Sequence, residues 1–327
     1  MRNLARTVMQ ESRGLVVVTG VSSFIGTHLA KAFCAAGYDV IGTLSRDIEE
    51  YTGVRKQRIE YALAGGARAH VVNLSDSSAV TTLISSVRPD FWVQHAGWAT
   101  DYSSLDYDLN MGFETNVVML SAIYRALAEF GCRGVLISGS SAEYSDSRSA
   151  NREDDACWPS TPYGLAKLAE TIRGRQLALR YGLPTRVARI YIPFGPLDAP
   201  GKLFTALIDG LSRQEPIDLS PCTQLRDFVH VAELAKAYVL MAEDSQSGSS
   251  FEIYNLCSGV ATRLDELLIM AVNAFGASPE LLRFGARSMR PGEAPVSYGS
   301  ADKAHEVLGW RAPPLVKMLQ AFVSTEI

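Results

Sequence analysis

Short apolar runs rich in β-branched residues recur along this chain, spaced so that one helix fits between each pair. The first is Leu15-Val16-Val17-Val18, whose unbroken hydrophobicity predicts a strand buried on both faces. It ends at Thr19-Gly20-Val21-Ser22-Ser23-Phe24-Ile25-Gly26, after which Leu29, Ala30, Ala32 and Phe33 recur at helical spacing as far as Gly37. Asp39-Val40-Ile41-Gly42-Thr43-Leu44 reads as a second strand and residues 69–74 as a third, followed by a helix over 79–87. Further strands fall at 91–94, 134–138 and 185–190, separated by a helix over 116–130, a polar loop over 145–162 and a helix over 163–181.

Strands alternating with helices at this interval predict a right-handed, parallel, doubly wound α/β sheet of the Rossmann type. After Pro193-Phe194-Gly195-Pro196 the rhythm breaks. Helices are expected over 204–211, 264–274 and 304–308, and extended pieces over 216–219, 226–231 and 251–256. The expected division is an extension over 1–14, a sheet domain over 15–190 with returning segments near 226–256, and a smaller interleaved region over 191–327. There is no internal repeat and no low-complexity linker.

In such a sheet, ligands lie off the carboxyl ends of the strands, and Gly20, Ala96, Ser140 and Tyr163 all follow strand ends. The first turn is a phosphate cradle in outline: free N–H groups and a helix dipole converge where a strand runs into a helix. Its glycine spacing is that of a dinucleotide fingerprint, G-x-x-G-x-x-G, with Gly20 and Gly26 in place and Ser23 at the middle position. Ser22, Ser23, Phe24 and Ile25 complete the expected cofactor-binding turn. After the second strand, Leu44, Ser45 and Arg46 stand where an NAD-preferring fold usually carries an acid. A hydroxyl and a guanidinium suit a 2′-phosphate, so NADP(H) is favoured over NAD(H). The other reading has Arg46 as a solvated loop charge and Asp47 holding the ribose. Asn73, with Leu74 beside it, is placed to meet an adenine edge.

Composition adds little but exclusions. Hydrophobic residues make up 47% of the 327, charged residues 20%, and the net charge is −4, which argues against a nucleic-acid or anionic-membrane partner. No apolar run approaches the length of a membrane span. The five cysteines are scattered and include no C-x-x-C pair, which fits a reducing cytoplasm. The five histidines are equally scattered, and no metal site is expected.

Tyr163 and Lys167 lie four apart on one expected helix and so share a face. A free phenol titrates near 10 and exchanges protons poorly at neutral pH. A neighbouring ammonium favours the phenolate and is expected to bring Tyr163 toward the working range. Spacing alone does not separate this from an aromatic anchor beside a solvated lysine.

The motifs taken in order do separate them. The chain resembles the extended short-chain dehydrogenase/reductases, in the NAD-dependent epimerase/dehydratase branch. The resemblance runs from about residue 15 to about residue 314. It is carried by Thr19-Gly20 with Phe24-Ile25-Gly26, Asn116, Ser140, Tyr163-x-x-x-Lys167 and Arg189 with Phe194-Gly195-Pro196. It continues through Arg226-Asp227-Phe228-Val229-His230-Val231, Tyr254-Asn255-Leu256-x-Ser258-Gly259, Arg290-Pro291-Gly292-Glu293 and Leu308-Gly309-Trp310. It implies a dinucleotide at the first turn, reached also by Ala96 and Asn116, and a nucleotide-activated sugar between the sheet and the C-terminal region. Tyr163 would exchange a proton with the sugar oxygen, Lys167 would hold the nicotinamide ribose, and Ser140 would hydrogen-bond the same oxygen. Ser141, Arg226 and Arg290 would contact the substrate, the arginines at its pyrophosphate. A homodimer through the 116–130 and 163–181 helices is implied as well.

Dehydratases of this family carry Thr-Asp-Glu where this chain has Ser140-Ser141-Ala142, and Glu143 is displaced by one position. The C-terminal half is similar to 4-ketoreductases of deoxysugar pathways. The resemblance therefore points to reduction of a nucleotide-linked 4-keto-deoxysugar. The alternatives are a redox-neutral epimerase with tightly held NAD, a reductase of some other carbonyl compound, and a non-catalytic NADP-binding regulator. Two departures bear on the substrate's pose: Ile192 and Pro193 follow the Arg189 strand in place of the usual asparagine, and Phe194 replaces a tyrosine.

Overall fold

Alternate residues of the first strand look in opposite directions, and each direction is lined by its own hydrophobic core. In the computed structural model, which describes residues 12–289 and 293–326, β1 (Leu15–Val18) sends Val16 and Val18 into one core and Val17 into the other. A strand buried on both faces cannot alternate apolar with polar, hence the unbroken run.

The chain continues through α1 (Phe24–Ala35), β2 (Asp39–Leu44), α2 (Gly53–Ala64), β3 (Arg68–Val71), α3 (Ser77–Val87) and β4 (Phe91–Gln94). Next come α4 (Leu109–Phe113), a π-helical turn over Glu114–Val118, α5 (Leu120–Glu129), β5 (Gly134–Ser140), α6 (Pro162–Tyr181) and β6 (Thr185–Ile190). The remainder comprises β7 (Ile192–Phe194), α7 (Leu203–Arg213), β8 (Ile217–Asp218), β9 (Leu225–Arg226), β10 (Phe228–His230), α8 (Val231–Asp244) and β11 (Phe251–Leu256). It closes with β12 (Thr262–Arg263), α9 (Leu264–Ala274), β13 (Leu282–Arg283), β14 (Val296–Ser297), α10 (Asp302–Leu308) and α11 (Leu315–Glu326).

Seven strands form one sheet in the order β3-β2-β1-β4-β5-β6-β11, every neighbouring pair parallel. The expected doubly wound sheet is therefore present. Its order reverses between β1 and β4, where adjacent crossovers leave to opposite faces and open a crevice. α1 and α8 pack together on one face; α3, α5 and α6 form the layer on the other. Short strands from Ile192 onward make three small additional sheets, β7 with β10, β12 and β14 with β9, and β8 with β13.

Several expected bounds shift. The third strand stops at Val71, so Asn73 and Leu74 lie beyond it. The helix expected over 116–130 begins earlier, at Leu109, and passes through the π-helical turn before α5. Residues 226–231 are not one extended piece: two short strands flank Asp227, and His230 caps α8 by accepting from the Ala232 N–H. α2, α8 and α11 were not foreseen.

Candidate active site

The first turn is built on close approaches that only glycine allows. Gly20 has φ +75°, and a Cβ there would stand 3.0 Å from the Ala96 Cβ. A Cβ on Gly26 would stand 2.4 Å from the Gly20 carbonyl oxygen. The middle position needs no glycine, because Ser23 is extended at φ −86° and serves as the N-cap of α1. Its hydroxyl accepts from the Gly26 N–H at 3.0 Å and lies 2.7 Å from the Gly20 carbonyl.

Behind this turn runs a buried polar chain. The Ser23 hydroxyl meets His95 Nε2 at 2.9 Å, His95 Nδ1 meets the Ser138 hydroxyl at 2.9 Å, and Ser138 meets the Tyr238 hydroxyl at 2.7 Å. With the ring proton on Nε2 every member is satisfied, Tyr238 donating to Ser138, Ser138 to His95, His95 to Ser23 and Ser23 to the Gly20 carbonyl. Burial, helped by the Lys167 charge, pushes His95 down to about 3, so the ring stays neutral. Thr19 ties the β1 and β4 ends together by accepting from the His95 and Ala96 N–H groups, both at 2.8 Å.

At the end of β2, Ser45 contacts the Tyr51 hydroxyl through both its N–H and its side chain. The Arg46 guanidinium lies over the Tyr51 ring, 4.6 Å from its centre. Ser45, Arg46 and Asp47 are all exposed at the rim. Asn73 is exposed too, its carbonyl accepting from the Ser75 N–H. Asn116 sits buried in the π-helical turn; its Oδ1 accepts from the Trp98 N–H at 2.8 Å, while its buried Nδ2 has no partner. These features fit a dinucleotide: a cradle that a Cβ would fill, exposed polar groups at the β2 rim, and an unsatisfied donor deeper in.

Ser140 ends β5 and Tyr163 opens α6, with Thr161 as N-cap and Pro162 in the first turn. The two elements meet because residue 164 is glycine: a Cβ there would fall 2.1 Å from the Ala142 carbonyl oxygen. The Ser140 hydroxyl thereby faces the Tyr163 phenol and also accepts from the Ala142 N–H. Glu143, which lies one position past the expected acid, turns inward. It accepts from the Ser140 N–H at 2.9 Å and from Arg189 Nε at 3.0 Å. Burial raises this carboxyl while Arg189 pulls it back.

Tyr163 packs against the rings of Tyr102 and Tyr107, with centres 5.5 Å and 5.6 Å away. Lys202 donates to the Tyr102 hydroxyl at 2.8 Å, and Tyr107 donates to the Trp98 carbonyl at 2.9 Å. Apart from Tyr163, none of these residues was singled out from sequence. Their only signal was tyrosines in the loop after a strand's carboxyl end.

The lysine's effect differs from expectation. Burial is the largest influence on Tyr163 and raises it; Lys167 and the Ser140 hydrogen bond lower it, and Glu170 and Tyr102 raise it. The net is upward, not toward neutrality. Burial of the phenol is the main cause, and the pull of Lys167 is partly offset because its Nζ donates to a buried counter-ion, Glu170 Oε2, at 2.5 Å.

Arg226 donates to Glu293 at 2.9 Å and to its own neighbour's carbonyl, Leu225 O. Next to it Asp227 is buried and accepts from the Ser258 N–H and hydroxyl, both at 2.7 Å, and from the Gly259 N–H at 3.0 Å. Two of the sequence motifs are thus one clamp. Ser141 is half-buried beside Ser140, and Arg290 lies outside the described residues. Phe194 is wholly buried, stacked on Phe204, so the aromatic position serves the core.

Comparison with known proteins places the chain among sugar-nucleotide enzymes by sequence and by fold. UDP-glucose 4-epimerase GEPI48 of Cyamopsis tetragonoloba is 26% identical over 321 residues, covering 91% of this chain and 90% of the relative. The Thermotoga maritima UDP-glucose 4-epimerase structure with UDP-glucose superposes with a TM-score of 0.81 at 22% identity, covering 95% of this chain and 97% of that one. DesIV, a dTDP-glucose 4,6-dehydratase from Streptomyces venezuelae with NAD and TYD bound, gives 0.79 at 20% identity, covering 95% and 96%. The profile of the NAD dependent epimerase/dehydratase family matches residues 16–257, and the chain belongs to that family.

Proposed function

We propose that this chain reduces a nucleotide-linked 4-keto-deoxysugar with a nicotinamide dinucleotide, Tyr163 donating the proton. The observation that carries the reading is the direction of Glu143. Elimination of water needs a general acid and base over the sugar ring, and Ser141 and Ala142 supply no carboxyl for either role, while Glu143 is committed to Ser140 and Arg189. A nicotinamide dinucleotide held at the glycine turn would supply hydride chemistry at the ketone carbon. Ser140 and Tyr163 then stabilise the oxygen as it gains charge, two preplaced hydroxyls acting on the transition state more than on the ketone. The Tyr163 proton passes to that oxygen, and the phenolate recovers a proton from solvent.

The glycine turn, Ser22 to Ile25, Ala96, Asn116 and Lys167 form the dinucleotide side in this reading, with Asn73 and Leu74 toward the adenine. Residues 191–327 supply most of the sugar-nucleotide side. There Arg226 binds the pyrophosphate once it is shared with, or released from, Glu293. UDP-glucose in the Thermotoga relative supports a nucleotide sugar as ligand. A homodimer through α6 is supported by Leu165, Ile172 and Leu179, an exposed apolar stripe at seven-residue spacing.

A redox-neutral 4-epimerisation with retained NAD is the second reading, favoured by the naming of the sequence relatives. Incubation with a nucleotide-linked 4-ketosugar separates the two. Reduction consumes one NAD(P)H per sugar; conversion of a UDP-hexose to its 4-epimer with no net cofactor change would overturn it.

Ser45 and Arg46 further favour NADP(H), whereas the DesIV neighbour holds NAD. Arg46→Ala should weaken NADPH binding by roughly tenfold or more while leaving NADH binding unchanged, as expected for loss of a charge-assisted contact. Equal losses for both cofactors in a titration would remove the 2′-phosphate assignment.

A further inference from the structure

The ion pair between Lys167 and Glu170 has no task in the reaction as described so far. Glu170 is 1% exposed and Lys167 6%, and one turn of α6 separates the lysine from Tyr163 on its other side. A buried carboxylate beside a buried ammonium cancels much of the field that the ammonium exerts on a third group. Tyr163 is such a third group, attracted by Lys167 and opposed by Glu170.

We propose that Glu170 is a positioning residue: by pinning the Lys167 ammonium it withholds that charge from Tyr163 and keeps the phenol protonated, the form that donates to a carbonyl. This rests on the assignment of Tyr163 as the proton-transfer group. It deepens that assignment by giving it a direction, since abstraction of a proton from a sugar hydroxyl needs the phenolate instead.

The groups facing this pair come from every element packed around it. Glu143 stands on the turn after β5 and acts on both members of the pair, with Arg189 of β6 as its partner. Tyr124 of α5, Tyr238 of α8 and Tyr107 ahead of α4 also feel Glu170. His95 is neutral and feels Lys167. Burial opposes the Lys167 charge, but Glu170 and Tyr163 outweigh it and raise the lysine. Burial pushes Glu170 up to about 7 against the pull of Lys167. The pair is therefore ionised throughout the alkaline range where a phenol titrates.

The test reads Tyr163 without any substrate. Tyrosinate absorbance is followed against pH in the full chain, and Tyr163→Phe is subtracted to isolate the one phenol. Glu170→Gln keeps the shape and the hydrogen-bond acceptor but removes the charge. The Tyr163 midpoint should then fall by about one pH unit or more, a tenfold or greater loss of proton affinity. Glu170→Asp, which keeps the charge but draws it back, should give a smaller fall and covers the case in which the glutamine variant does not fold. In a Lys167→Met background Glu170→Gln should produce a clearly smaller fall, because only the direct repulsion between carboxylate and phenolate is then removed.

An unchanged or higher midpoint in a folded Glu170 variant would overturn the proposal, as would a full shift without Lys167. Absence of ketosugar turnover would instead count against the proposed reaction and leave the titration result standing.

Discussion

Replacing Tyr163 with phenylalanine should cut turnover by roughly 10²- to 10⁴-fold while dinucleotide binding persists, the loss typical of removing a positioned proton donor. The substitution deletes one oxygen and keeps the ring, so the packing against Tyr102 and Tyr107 and the start of α6 survive. Ser140 loses its facing hydroxyl but retains the Ala142 N–H that it already caps. Lys167 retains Glu170 and remains available to a ribose. The expected signature is therefore a fall in kcat with a near-unchanged dissociation constant for the cofactor. Turnover close to that of the unaltered protein would sink the proton-transfer role of Tyr163.

Arg189→Met should cost about 3–5 kcal/mol of folding stability at neutral pH, because it leaves a buried carboxylate without its counter-ion. Glu143 is wholly buried and Arg189 nearly so, and solvent cannot take over the lost partner. The pH dependence has a definite sign. Without Arg189 the folded-state titration of Glu143 moves further above its unfolded value. The folded protein then binds the extra proton, and stability falls as pH rises out of the ordinary carboxylate range. The deficit measured by denaturant unfolding should consequently shrink on acidification toward the unfolded carboxylate value. A loss below about 1 kcal/mol, the scale of a solvent-exposed pair, would show that Glu143 is held by other means. The same variant frees the carboxylate that grips the Ser140 N–H, so weakened activity should accompany the lost stability.

What could be read from sequence was whatever lies in a local pattern. The central strands of the sheet were legible because they are buried on both faces, and the loss of polar positions marks them out, whereas the edge strand β3 is largely exposed and its bounds shifted. α2 was not, since its segment is largely polar and buries only Arg58, Ile59 and Ala62. α8 was missed for the opposite reason. It starts at Val231, directly after β10, so the extended run ahead of it masked its N-terminus. In the site, Ser140, Tyr163 and Lys167 stood in motifs, whereas their modifiers did not. Glu170 lies three residues from Lys167, yet spacing alone does not reveal that both are buried. Glu293 is 67 positions from Arg226, and only the fold makes them neighbours. Tyr102 and Tyr107 sit in an irregular loop with no periodicity to place them.

The chain of hydroxyls and imidazole from Tyr238 to Ser23 has a consequence for the energetics of ligand capture. The turn over α1 is anchored through Ser23 and His95 into the middle of the sheet and on to α8, the helix packed beside α1 on the same face. Its N–H groups are thus already aimed, and little conformational entropy is left to lose when an anion arrives. Most of the intrinsic attraction of that helix terminus is then realised as affinity. The fold has done the ordering beforehand, within a core that includes the helix packed beside α1.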